Sequence, residues 1–246
     1  MQLLATLRHG LRQDEVDPGW SDTAGRPWDP PLSEQGWQQA RDVADKLRDF
    51  GIGWVVVSPF LRCLQTARAI VEELRTPVKW EVNCALGEVM SQRYLSGLGR
   101  ALPSGRVADW FWQGKSLQEG VSEELGTCDF DMAQSGFVEP PESIEQTHTR
   151  YARALQEVAD RHASDNVLIV SHGEAVRRSV TFVLPWAQVY EVQHCGYTGL
   201  QREQDADGDW DEWHLLDQSK VSGVAWTEHT TVCANPTYGF ILPQTS

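Results

Sequence analysis

Three short apolar runs set the frame for this chain: "QLLATL" at 2–7, "WVVV" at 54–57 and "NVLIV" at 166–170. Each stops abruptly at a polar residue, and a helical pattern follows each of them. Runs this short cannot make amphipathic helices. Their unbroken apolar character is that of strands buried on both faces. Strands alternating with helices imply βαβ units, right-handed crossovers and a mostly parallel sheet.

The helices are marked by their caps. Ser33 is predicted to cap a helix with Ala40, Val43, Ala44, Leu47 and Phe50 on one face, ended by Gly51. Pro59 is expected in the first turn of the next helix, whose apolar face is Leu61, Leu64, Ala67, Val71 and Leu74. A short strand is expected near 78–82. Ser143 and Gln146 form a capping box before a helix bearing Ile144, Tyr151, Leu155, Val158 and Ala159. A helix through 174–184 stops before Pro185. A hairpin joins 189–203 to "WDEWHLL" through "DADGD". With 246 residues, the chain reads as a single domain, 1–246. The segment from about 89 to 141 is mixed in polarity and rich in Gly and Pro. It is expected to be an insertion, or lid, over that domain. Its Trp110, Phe111, Trp112, Phe130 and Phe137 are expected to line an open site.

Charge narrows the partners. The net charge is 21 − 35 = −14, which argues against nucleic acid or an anionic membrane surface as a partner. No run is long enough for a membrane-spanning helix, and no basic region precedes an apolar run at the start, so no secretory leader is expected. Five cysteines, at 63, 84, 128, 195 and 233, make no CxxC pair. Free thiols in a reducing, cytoplasmic setting are expected.

In an open parallel sheet, ligands bind beyond the carboxyl ends of the strands. The residues there are Arg8, His9 and Gly10; Ser58 to Arg62; and Ser171, His172 and Gly173, with Arg12 nearby. Arginines present paired donors to a phosphoryl group, and helix N-termini add backbone donors. A histidine there is a candidate nucleophile, and an acid is needed to protonate the leaving oxygen. His148, His162, His194, His214 and His229 have no paired ligand spacing and HExxH is absent, so they read as structural or surface residues, with no metal and no cofactor. "DADGDWDEW" has its Gly in the wrong place for a calcium loop. Ser171 lacks the GxSxG elbow of a serine nucleophile.

"LRHG", "DPPLSEQGWQQA", "SPFLRCLQTA", "PPES" and "IVSHG", in this order, resemble the histidine phosphatase superfamily, the phosphoglycerate-mutase-like group. The resemblance implies an α/β, three-layer α/β/α sandwich. It implies His9 as phospho-accepting nucleophile, held in tautomer by the Gly10 carbonyl. Arg8, Arg62 and His172 would complete the phosphate pocket, with Gly173 at its helix start, and Glu88 in "CALGEVM" would be the general acid. "RHGLRQD" is most similar to the phosphatase domains of the suppressors of T-cell-receptor signalling, which implies a phosphate contact from Arg12. That group has Glu where Leu11 stands and His-Ala where His172-Gly173 stands. The Tyr-Gly signature and loop Asn of the mutases are absent. The implied activity is a metal-independent phosphomonoesterase that forms a phosphohistidine and acts on phosphotyrosine or another aryl or small phosphate ester. Its substrate would be a phosphorylated small molecule or a phosphoprotein. A phosphoglycerate mutase and a weakly catalytic phospho-ligand scaffold are the alternatives. The oligomeric state is left open, a dimer included.

Overall fold

The computed structural model describes residues 1–95, 102–126, 130–133, 136–217, 220–227, 233–234 and 241–242. Cys128, His229 and the Cys233 side chain lie outside the described residues. β1 (Gln2–Arg8) is followed by two one-turn helices, α1 (Gln13–Val16) and α2 (Trp20–Thr23). α3 (Glu34–Leu47) starts where the Ser33 side chain accepts from the Gly36 N–H. A 3-10 turn then ends at Gly51 with φ 59°. β2 (Ile52–Val57), α4 (Leu61–Leu74) and β3 (Lys79–Val82) follow. Next come α5 (Gln92–Leu95), α6 (Val107–Trp110), α7 (Leu117–Leu125) and β4 (Phe130–Met132). α8 (Ile144–Arg161) carries the predicted capping box at Ser143 and Gln146. β5 (Asn166–Ser171), α9 (Gly173–Val183), β6 (Gln188–Arg202), β7 (His214–Leu215) and β8 (Ser222–Thr227) complete the main body. β9 (Cys233–Ala234) and β10 (Ile241–Leu242) pair with each other.

The sheet order is β4-β3-β2-β5-β1-β6-β7, with β8 also on β6. From β4 to β1 every pairing is parallel; β6 runs antiparallel to β1. Alternate residues of each central strand point to opposite faces. Leu3, Ala5, Leu7, Val55, Val57, Leu168 and Val170 join the core under α3 and α4, while Leu4, Val56, Val167 and Ile169 join the core under α8. Both faces are buried, hence the unbroken apolar runs. This is the expected three-layer α/β/α sandwich.

Three expectations change. Pro59 lies before the helix: Phe60 is the N-cap of α4, and the Leu61 N–H is satisfied by the buried Asp29 carboxylate, 2.9 Å away. The late hairpin is short, with Leu200 opposite Leu215. Besides β1 and β7, β6 takes a third partner, β8, which the sequence pattern does not announce. The 89–141 segment is more than a cover. Val107, Trp110, Phe111, Trp112, Val121 and Leu125 belong to the main core, and β4 extends the sheet beside β3. Large aromatic rings gain more from that core than from water.

The loop after β1 crosses the start of α3 at very short range. A Cβ on Gly10 would lie 2.6 Å from the Gly36 carbonyl oxygen, and one on Gly36 would run into the Leu11 carbonyl. Both positions therefore exclude side chains. Gly36→Ala is expected to destabilise the fold by about 1–3 kcal/mol, the usual cost of overpacking, and to lower activity by moving the loop. Unfolding in urea checks this, and an unchanged midpoint would show that the crossing tolerates a methyl group.

Candidate active site

β2, β5 and β1 are neighbours in the sheet, so their carboxyl ends open onto one edge. The His9 N–H donates to the Ser171 carbonyl and the Ser58 N–H to the Val170 carbonyl, each at 3.0 Å, which locks the three loops together. His9 Nδ1 lies 2.8 Å from the Gly10 carbonyl oxygen. A carbonyl only accepts, so Nδ1 carries the proton and Nε2 the lone pair. The Gly10 N–H donates to Thr66 Oγ1 at 3.1 Å, and Thr66 donates to the Arg62 carbonyl. Burial, then Arg62, His172 and Arg8, push the His9 pKa well below the ordinary histidine value. The ring is therefore neutral at neutral pH.

Behind His9 lies a buried charge cluster. Arg62 is 1% exposed. It donates to Glu88 Oε2 at 3.1 Å, and Asp29 Oδ1 is 3.6 Å from its other terminal nitrogen. The same Glu88 oxygen is 3.1 Å from His172 Nδ1, and His172 Nε2 is 3.0 Å from Ser58 Oγ. Burial acts to raise the Glu88 pKa, but His172, Arg62 and the Val89 N–H outweigh it and hold the carboxyl ionised. Burial lowers His172 to about 4, with Arg62 adding to the effect and Glu88 opposing it. A neutral His172 then donates from Nδ1 to Glu88 and accepts from Ser58 at Nε2. Among the described residues, Arg62 Nε and Nη1 have no hydrogen-bond partner.

The loop carrying Glu88 is fastened from α8. Arg150 donates to the carbonyls of Ala85, Gly87 and Glu88 and pairs with Glu142, which accepts from the Met90 N–H. The Tyr151 hydroxyl donates to the Gly87 carbonyl at 2.7 Å. Arg150 escaped the sequence reading because α8 presents it as one more polar residue. Only Glu142, in "PPES", gave a local signal.

The mouth is a pocket of about 280 Å³ lined by Arg8, His9, Arg12, Glu88, Tyr94, Gly173, Glu174, Arg177 and Val192. Arg12 is held by both oxygens of Asp14, at 2.9 and 3.0 Å, and by Glu15 at 3.2 Å. The predicted set thus divides. His9, Arg8, Arg12, Glu88 and Gly173 reach the mouth, whereas Arg62 and His172 sit buried behind Glu88. The expected aromatic lining is overturned for Trp110, Phe111 and Trp112, which are buried. Phe111 packs on Phe60, with ring centroids 4.8 Å apart, and Phe60 on His172 at 5.0 Å, so the aromatics form the wall behind the site. Two histidines expected to be structural or surface residues lie beside the site. His148 pairs with Glu174 at 3.0 Å, and the His194 ring lies 6.0 Å from that of His9. Ser171 is no nucleophile candidate here, since its hydroxyl donates to the Leu86 carbonyl.

His9, Glu88 and His172 also bring ligand atoms within 4.8 Å of one another, spacing that a metal ion can use. Residues so far apart in sequence leave no spacing signature. Arg8 and Arg62 bear on the same place, and a doubly cationic surround favours an anion over a cation there.

The low pKa of His172 links to stability. The unfolded chain takes up a proton as pH falls below about 6.5, while the folded chain does so only near 4. Stability is therefore full above this window and is lost as pH falls through it, by up to roughly 3 kcal/mol. His9 acts in the same sense. His172→Gln is expected to flatten the decline in urea midpoint between neutral and mildly acid pH. Parallel curves for variant and wild type would contradict the assignment.

The family model of the histidine phosphatase superfamily (branch 1) matches residues 4–99 and 109–216. Ubiquitin-associated and SH3 domain-containing protein A of Homo sapiens is 30% identical over 162 residues, covering 60% of this chain and 22% of the relative. Its Mus musculus counterpart is 44% identical over 162 residues, with 60% and 23% covered. The chain thus spans less than a quarter of these two relatives. Probable phosphoglycerate mutase GpmB of Erwinia tasmaniensis is 29% identical over 171 residues, 68% of this chain and 66% of that one. Among solved structures, the ecdysone phosphate phosphatase of Bombix mori in complex with tungstate superposes with a TM-score of 0.65 at 20% identity, covering 88% of this chain and 92% of that one. A mycobacterial glucosyl-3-phosphoglycerate phosphatase gives 0.53 at 19%, covering 87% and 97%. These two likenesses concern the fold. The Arg8-His9-Gly10 triplet at the end of β1, the His172 loop beside it and a match over most of the length make this chain a member of the histidine phosphatase superfamily.

Proposed function

We propose that the chain is a metal-independent phosphomonoesterase that works through a phosphohistidine on His9. The observation that carries this reading is a neutral, buried His9, fixed with Nε2 as its lone-pair nitrogen, within 4.8 Å of the Glu88 carboxylate and beside Arg8 and Arg62. The phosphoryl group binds through Arg8, Arg12, Arg62 and His172, with the first N–H groups of α9 from Gly173 as further donors. His9 Nε2 attacks phosphorus, the bond from phosphorus to the ester oxygen breaks, and Glu88 gives that oxygen its proton.

Glu88 is ionised at rest, so its proton must be accounted for. An arriving phosphoryl dianion competes for the Arg62 and His172 N–H groups that hold the carboxylate. Losing them raises the proton affinity of Glu88, and the proton comes from solution or from a monoanionic substrate. In the second half, Glu88 takes a proton from water, the water oxygen attacks phosphorus, and the nitrogen–phosphorus bond breaks. Orthophosphate and free His9 result.

The substrate class we propose is phosphotyrosine or another aryl or small phosphate ester, on a protein or a small molecule. Tyr94 and Val192 at the mouth offer a partly apolar rest for its leaving group. The likeness to ecdysone phosphate phosphatase is in keeping with a bulky organic ester. Residues 1–246 act as one domain in this reading, with 89–141 bordering the site. A cytoplasmic location is supported by buried free thiols at Cys63, Cys84 and Cys195. Among the described residues, no helix is long and apolar enough to cross a membrane.

Hydrolysis of nitrophenyl phosphate and of an alkyl phosphate tests the reading. Wild type is expected to turn over in EDTA, and His9→Ala to lose on the order of 10³-fold or more. Glu88→Gln should lose roughly 10²–10⁴-fold on the alkyl ester, where a basic oxygen departs, and less on the nitrophenyl ester. Activity lost in EDTA and restored by a divalent ion would make the triad a metal site instead.

A further inference from the structure

We propose that His194 is a positioning residue that ties Arg8 to Arg12 through Glu15, and so sets phosphoryl affinity. The inference rests on the phosphatase reading above. It begins with the course of β6. That strand pairs with β1 as far as Leu7 opposite Tyr197, and its register against β8 breaks between Val192 and Tyr197. Cys195 takes φ 54°, uncommon for a residue with a side chain, and its N–H donates to the His9 carbonyl at 3.3 Å. The bulge folds Val192 and His194 over the end of β1.

The contacts there form a chain. Arg8 Nη1 donates to the Val192 carbonyl at 2.6 Å, and its Nη2 lies 3.0 Å from His194 Nε2. The same His194 nitrogen is 3.0 Å from Glu15 Oε2, and Glu15 Oε1 is 3.2 Å from Arg12 Nε. His194 thus supports Arg8 beside the Val192 carbonyl, and through Glu15 it reaches Arg12, which Asp14 also holds. Nε2 has a single role at a time. As a lone pair it accepts from Arg8; as N–H it donates to Glu15.

The charged and titratable groups facing His194 are Arg8 and His9 at the end of β1, Arg12 in the following loop and Glu15 on α1. Glu191, on its own strand, is exposed and accepts from Gln193. His194 and the Val192 carbonyl hold Arg8 toward the pocket, and Glu15, which His194 contacts in turn, steadies Arg12. Loss of the imidazole removes one support from each guanidinium and loosens the grip on a dianion.

The test compares wild type, His194→Gln and His194→Ala. Glutamine both accepts and donates, so it can replace the imidazole in either contact. The KM and kcat for nitrophenyl phosphate are measured for all three proteins, and tungstate affinity is measured by calorimetry in the same buffer. His194→Ala is expected to raise KM and the tungstate Kd by about tenfold, the worth of one lost hydrogen bond, with kcat little changed, and His194→Gln to recover most of that loss. Unchanged KM and Kd in His194→Ala, a loss confined to kcat, or no recovery in His194→Gln would overturn the proposal. If wild type fails to hydrolyse the ester, the phosphatase reading falls, while the tungstate measurements still decide the role of His194.

Discussion

A guanidinium with 1% of its surface exposed governs this site. A buried charge without a partner is among the costliest things a fold can hold. Arg62 meets that demand with Glu88 at 3.1 Å and Asp29 at 3.6 Å. The arrangement has consequences at each neighbour. It helps hold Glu88 ionised, it disfavours protonation of His172, and it lowers the His9 pKa. Two Arg62 nitrogens have no hydrogen bond among the described residues, so the cluster keeps donor capacity for one more anion. Removing either carboxylate would leave the guanidinium under-compensated, and the penalty would fall on the fold as well as on the chemistry.

The sheet makes this cluster available to a ligand. β2, β5 and β1 lie side by side and end together, so loops far apart in sequence share one edge. Backbone bonds from His9 to Ser171 and from Ser58 to Val170 fix their heights. The Gly10 carbonyl sets the His9 tautomer, and Arg150 pins the carbonyls of the loop that carries Glu88. Reacting groups held this way lose little entropy on meeting a substrate. The preorganisation resides in backbone groups, which point mutations at the mouth leave in place.

Much of this was legible in the sequence, for identifiable reasons. Strands buried on both faces write themselves as "WVVV" and "NVLIV", and capping at Ser33 and Ser143 is local chemistry. The functional residues at strand ends follow from the crossover rule once the strands are found. What stayed hidden depends on tertiary contact. Pro59 suits a helix start by itself, yet Asp29, distant in sequence, supplies the acceptor and moves the start. His194 reads as a structural or surface residue because nothing in "VQHCGY" announces that Cys195 takes a positive φ. Arg150 sits on α8 among other polar residues, and its three carbonyl partners cannot be read from spacing. The aromatics of 107–112 were expected at an opening because polar neighbours surround them, but burial against Phe60 and Phe137 won.

The central claim, a covalent phosphoryl intermediate on His9, is open to direct capture. Wild-type protein mixed with aryl phosphate labelled at phosphorus, and quenched in alkali within milliseconds, should carry label at up to one equivalent per chain. Peptide mapping should place that label on His9, bonded to Nε2, and acid should release it as orthophosphate. Turnover without any labelled protein, or label on another residue, would contradict the account.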